Sequence, residues 1–251
     1  MKSNVLIFKA APEDSEKTKD IYQEQLEDNN FGVEIVNVIQ FNYKNLDVLK
    51  TKLTRPNEYS GIVFGSPRCV KAVANAVDTL YKQWQSVPCF AVGEATSRLA
   101  KSLLGLNAQG AETGNGEALA TVILKCDLKK PVLMPVGNLS RDTITNSLKS
   151  NGVAVDAVQV YETAPHSELR RTIEKLSIDR FNAMVFFSPS GVYSSLPIIR
   201  DLHPDLGSVK FVSIGPTTEK ALLEHGLTVS ATAAKPTPEA LAEAVSSAFI
   251  K

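Results

Sequence analysis

Two short stretches, Ile214-Gly215-Pro216-Thr217-Thr218 and Val92-Gly93-Glu94-Ala95-Thr96, set hydroxyls just after a glycine, where an apolar run gives way to an amphipathic one. A strand-to-helix turn of this kind presents side-chain oxygens beside bare backbone N–H groups. A helix N-terminus carries roughly half a positive charge and up to four N–H donors without an intrahelical partner, which suits a carboxylate or a phosphate. Three further turns share the design: Gly65-Ser66-Pro67-Arg68-Cys69, the run PVGNLSRD from Pro135 to Asp142, and Phe187-Ser188-Pro189-Ser190-Gly191-Val192. In the last, Ser188 is expected to cap a helix, and Pro189 to take the first helical position, where its missing N–H does no harm. Gly191 is expected to let a ligand approach the backbone. Ser66-Pro67 repeats the arrangement.

The elements that must position these turns follow from self-similarity. EYSGIVFGSPRCV at 58–70 aligns with RFNAMVFFSPSGV at 180–192, a shift of 122 that also places Gly93 on Gly215, Thr96 on Thr218, and GEALA at 116–120 on PEALA at 238–242. With small gaps, NVLIF at 4–8 matches PVLMP at 131–135 and FGVEIVNVIQF at 31–41 matches NGVAVDAVQVY at 151–161. The chain is thus two copies of one unit of roughly 120 residues. Apolar runs lie near 4–8, 33–39, 61–65, 88–92 and 106–110, and again near 131–136, 153–161, 183–187, 209–214 and 227–231. Between them helical spacing recurs, as in Ala72, Val73, Ala76, Val77 and Leu80, or Ala240, Leu241, Ala244, Val245 and Ala248. Strands alternating with helices of this length predict an α/β protein with parallel sheets covered on both faces, five strands per copy in a flavodoxin-like layout. In such sheets ligands bind beyond the carboxyl ends of the strands. Five such turns facing one crevice would hold a molecule rich in acid groups.

Two runs exceed what a buried parallel strand needs. Val33 to Phe41 and Val153 to Tyr161, about 30 Å each if extended, are candidate inter-domain linkers lying side by side.

Composition narrows the function classes. Lysine plus arginine equals aspartate plus glutamate at 27 each among 251 residues, so bulk charge points to neither a nucleic acid nor a membrane surface. The apolar stretch at the N-terminus, Val5 to Phe8, is too short for a signal peptide, and no stretch approaches membrane-spanning length. Cys69, Cys89 and Cys126 form neither a CxxC pair nor an even-numbered framework, which suits a reducing, cytoplasmic compartment and buried inert thiols. GxGxxG after the first strand, GxxxxGK[ST], HExxH and GxSxG are all absent, and His166, His203 and His225 stand apart from cysteine or acid at ligand spacing.

SPR at 66–68, VGEAT at 92–96, GNLSRD at 137–142, VYET at 160–163, FFSPSG at 186–191, IGPTT at 214–218 and PTPEAL at 236–241 stand in an order and spacing that resembles animal-type uroporphyrinogen-III synthases across essentially the whole chain. The resemblance implies a lyase of haem biosynthesis without cofactor or metal. Such an enzyme closes the linear tetrapyrrole hydroxymethylbilane into uroporphyrinogen III, inverting ring D through a spiro-pyrrolenine intermediate. It implies two flavodoxin-like domains, here 1–36 with 166–251 and 42–157, joined by a two-stranded linker at about 37–41 and 158–165. The tetrapyrrole itself is the partner implied, for a monomer in at most transient contact with the preceding enzyme. Catalysis would be mainly by positioning, with eight carboxylates held by contacts expected at Ser66, Arg68, Thr96, Asn138, Ser188, Ser190, Gly191, Gly215, Thr217 and Thr218. Gly65 departs from the threonine often seen before SPR, so a hydroxyl contact is missing there. Tyr161 matches the family's tyrosine and is the expected acid. A non-catalytic polyanion clamp and a nucleotide-binding regulatory module are the rival readings.

Overall fold

In the computed structural model, residues 2–10, 19–140 and 142–250 are described. Among them run ten strands: β1 (Asn4–Ala10), β2 (Gly32–Tyr43), β3 (Gly61–Phe64), β4 (Cys89–Ala91), β5 (Ala108–Gln109), β6 (Val132–Gly137), β7 (Val155–Pro165), β8 (Ala183–Phe186), β9 (Lys210–Ser213) and β10 (Val229–Thr232). The helices between them are α1 (Ile21–Asp28), α2 (Leu46–Leu53), α3 (Pro67–Ala76), α4 (Gly93–Leu104), α5 (Gly116–Ile123), α6 (Thr143–Ser150), α7 (Leu169–Glu174), α8 (Pro189–Leu202), α9 (Pro216–Glu224) and α10 (Pro238–Phe249).

The chain forms two compact units, Met1–Gln40 with Ala164–Lys251, and Phe41–Thr163. In the first, the strand order is β2-β1-β8-β9-β10, every pair parallel. Renumbered along the unit this is 2-1-3-4-5, the flavodoxin order. The second unit reads β7-β6-β3-β4-β5, again parallel. It has the same order with its first two strands supplied last by the chain. Repeat and unit therefore do not coincide: each unit joins the first two strands of one copy to the last three of the other.

Period-two alternation decides what each strand buries. In the second unit Ile62, Phe64, Cys89, Ala91 and Leu133 face the cluster under α2, α3 and α4, which contains Leu49, Leu53, Val70 and Val73. Val63, Phe90, Val132 and Met134 face the other side, with Leu119, Ile123, Ile144 and Leu148 of α5 and α6. Trp84 lies fully buried in the first cluster and donates its indole N–H to Leu53 O at 2.8 Å. In the first unit Val5, Ile7, Val185 and Val212 pack under α1 and α10 against Leu26, Leu241 and Val245.

Three elements differ from expectation. β2 and β7 run to 12 and 11 residues rather than nine. α3 stops at Ala76, because Val77 is already extended at φ −142°, ψ 137°, and Leu80 packs on the same core from outside the helix. Cys69 and Cys89 are buried, yet Cys126 is only half-buried.

Candidate functional site

In the second unit, the carboxyl ends of β3, β4 and β6 open onto a cavity of about 380 Å³ lined by Gly65, Val92, Asn115, Met134, Ser140 and Thr143, among others. Parallel sheets collect ligands at this end. Ser66 precedes α3 with Pro67 at its first position, but the Ser66 side chain makes no cap bond. Its Oγ lies instead 3.4 Å from Cys69 Sγ. Burial raises the Cys69 thiol pKa, so it stays protonated. The Arg68 guanidinium lies over the Phe41 ring, 3.5 Å from its centroid. Gly93 takes φ +75° at the start of α4, a left-handed conformation that glycine alone adopts without strain. Thr96, in the first turn of α4, is 3% exposed.

Tyr161 pairs with Gly137, the last residue of β6, at the same end of the sheet. Its half-buried ring meets Phe41 edge-on, centroids 6.4 Å apart at 72°, and among the described residues its hydroxyl has no hydrogen-bond partner. Next to it, Lys44 at 2.9 Å and the Asn42 amide hold the Glu162 carboxyl below the usual carboxylate range. Asn138, expected to face a ligand, spends its amide on the chain instead: Oδ1 accepts from Thr163 N–H at 2.8 Å and Nδ2 donates to Thr163 O at 3.2 Å. Arg141 of the GNLSRD run lies outside the described residues.

In the first unit, Ser188 caps α8, accepting from Gly191 N–H at 3.1 Å, with Ser190 Oγ also 3.1 Å from its Oγ. The Gly191 N–H is thereby used internally. A Cβ at Gly191 would fall 3.1 Å from Val38 Cγ2, so this glycine admits Val38 rather than a ligand. Gly215 is different: its backbone is extended and a Cβ there would meet nothing within 4 Å. Thr217 is exposed, while Thr218 is 3% exposed, matching Thr96. Neither the Thr96 nor the Thr218 hydroxyl has a hydrogen-bond partner among the described residues. The free donors at this turn are fewer than four, since Pro216 has no N–H and Thr218 N–H already donates to Gly215 O at 3.1 Å.

Some groups at these strand ends escaped the sequence reading. Lys9, near the carboxyl end of β1, pairs with Asp20 and stands about 5 Å from the centroids of Tyr22 and Phe187. Asn115 caps α5 and borders the 380 Å³ cavity. Its signal lay in the repeat, which sets it opposite Thr237, the cap of α10. A roomier cavity of about 470 Å³ lies at the amino ends of β9 and β10, near Lys210, Phe211 and Thr228, the end of the sheet away from these turns.

Parallel α/β units of flavodoxin order, with hydroxyl-bearing turns gathered at the carboxyl strand ends, define a class of ligand-binding α/β proteins. The family model described as uroporphyrinogen-III synthase HemD matches residues 20–243, and the chain belongs to the uroporphyrinogen-III synthase family. It is 31% identical over 219 residues to a uroporphyrinogen-III synthase of Saccharomyces cerevisiae, covering 79% of this chain and 80% of that one. It is 27% identical over 240 residues to the enzyme of that name from Schizosaccharomyces pombe, covering 90% and 91%. A solved mutant uroporphyrinogen III synthase from Thermus thermophilus superimposes with a TM-score of 0.60 at 16% identity, over 98% of each chain, a likeness of fold. Membership places the chain in tetrapyrrole biosynthesis and does not favour the clamp or the regulatory module. No helix of the described residues is long and apolar enough to cross a membrane.

Proposed function

We propose that this chain is a cyclising hydro-lyase that converts hydroxymethylbilane to uroporphyrinogen III with inversion of ring D. The observation that carries the reading is Tyr161, whose phenol stands at the carboxyl end of the second unit's sheet with no partner for its hydroxyl among the described residues. An electron-rich pyrrole expels its own hydroxymethyl oxygen. Tyr161 Oη donates the proton with which that oxygen leaves as water, and the phenolate recovers one when the new ring system rearomatises. Ring A carries the carbon left by that departure, and bond formation at the substituted carbon of ring D passes through the spiro intermediate. General acid assistance of this kind contributes about 10²-fold or more.

The remaining work is grip and fold. In the second unit the Thr96 hydroxyl, with Ser66 and Arg68, and in the first unit Thr217, the Thr218 hydroxyl, Ser188, Ser190 and the open backbone at Gly215 supply contacts for the substrate's carboxylates. Positioning alone can supply several kcal/mol of barrier reduction. The two units serve as the domains and the crossings near 37–41 and 158–165 as linkers in a monomeric cytoplasmic enzyme that needs no cofactor. Freshly made hydroxymethylbilane tests this: wild type should give isomer III, and Tyr161→Phe should fold normally but turn over about 10²-fold more slowly. Release of isomer I alone by the wild type refutes the synthase reading, and full turnover by Tyr161→Phe refutes the acid.

A further inference from the structure

We propose that Gly137 and Asn138 are positioning residues that together seat and aim the Tyr161 phenol; the inference rests on the acid role assigned to Tyr161. From Val132↔Val155 to Val136↔Gln159 the β6–β7 register advances residue for residue, and then it jumps, so that Gly137 lies opposite Tyr161. Val160 is the extra residue, fully buried in the core beneath α3. Such a bulge breaks the ladder locally and re-aims the next side chain. Here that side chain is the phenol.

The ring occupies the volume that any side chain at 137 would need. A Cβ built on Gly137 would stand 2.4 Å from Tyr161 Cζ, 2.6 Å from Cε2 and 2.7 Å from Oη. Just beyond the seat, Asn138 replaces the missing rungs of the ladder. Its N–H donates to Tyr161 O at 3.1 Å, and its amide brackets the Thr163 backbone through both bonds described above. The main chain is thus held on both sides of Glu162, and the ring is bounded by Gly137 and by the Phe41 edge. With no hydrogen bond among the described residues to steer Oη, packing aims it. A single methyl group at 137 must therefore move the acid.

The test compares Gly137→Ala, Asn138→Ala, Tyr161→Phe and Tyr161→Ala, each checked by circular dichroism and thermal melting. Gly137→Ala should lose about as much kcat as Tyr161→Phe, about 10²-fold, with KM little changed. Asn138→Ala, at an exposed position, should lose less. Adding Gly137→Ala to Tyr161→Ala should cost nothing further, because the ring it displaces is gone. By NMR, the Gly137 Hα protons should be shifted upfield by the overlying ring in wild type and in Tyr161→Phe, but not in Tyr161→Ala. A folded Gly137→Ala enzyme with wild-type kcat, beside an impaired Tyr161→Phe, overturns the seat. Should Gly137→Ala fail to fold, an unchanged kcat in Asn138→Ala overturns it equally. If Tyr161→Phe itself keeps full turnover while the ring-current shift is present, the acid assignment fails, and the seat loses its catalytic meaning although the packing stands.

Discussion

Thr218→Val separates a ligand-facing hydroxyl from a structural one. The residue is 3% exposed in the first turn of α9 and, among the described residues, its hydroxyl has no partner. Valine keeps the shape and the β-branch, so backbone preference and packing change little. Because no internal hydrogen bond is broken, stability should hold within about 0.5 kcal/mol or rise slightly. A hydrogen bond to a charged group is worth about 1.5–3 kcal/mol, so losing it to a substrate carboxylate should lower kcat/KM by roughly 10- to 150-fold, at about 1.4 kcal/mol per tenfold. Initial rates of isomer III formation across a substrate series, with melting curves on the same samples, measure both quantities. Thr218→Ser should keep most of the activity. A Thr218→Val enzyme that retains kcat/KM within twofold while its melting temperature drops by several degrees would show that the hydroxyl serves the fold and not the ligand.

Ser188→Ala removes a cap bond and should cost about 1 kcal/mol in urea denaturation, whereas Ser66→Ala, with no cap bond to lose, should cost a small fraction of that. Gly93→Ala forces a side chain to φ +75° and should destabilise by about 1–2 kcal/mol, while Gly215→Ala, extended and open, should be tolerated by the fold; equal melting temperatures for the two would contradict this. Burial pushes the Cys89 thiol up to about 12, from about 9 when unfolded. The raised folded value means that its stabilisation is complete below pH 9 and is lost as pH climbs from 9 toward 12, with a slope approaching about 1.4 kcal/mol per unit. Urea midpoints between pH 8 and 10.5 should show Cys89→Ala with a shallower alkaline decline. Tyr59, raised by burial and by its bond to Asp156, adds a decline of the same sign above pH 10.

How far the sequence could be read depended on the range of the forces involved. Alternation and helical spacing are local, so the ten strands stood where the apolar runs lay, and the repeat revealed Thr96 and Thr218 as equivalents. Strand order was not legible because pairing is a long-range choice. The end of α3 was missed because Leu80 continues the apolar spacing while Val77 has already left the helix. Gly93 and Gly215 align in sequence yet adopt φ +75° and 173°, since proline follows only the second. Ser66 and Ser188 share the dipeptide Ser-Pro, but a cysteine three residues on engages the first hydroxyl where a glycine N–H engages the second. Asn138 stood as a ligand contact on the family resemblance alone, and nothing in its neighbours announces its backbone partner 25 residues away.

The mismatch between repeat and unit carries an ancestral implication. A half-length chain with only the first copy would hold two strands of one unit's sheet and three of the other's, leaving β1 without β8 and β3 without β6. Such a chain could complete its sheets only by trading strands with a second copy of itself, as domain-swapped dimers do. With both copies in one chain, the same strands pair within a single molecule, so the assembly of the two sheets does not depend on protein concentration.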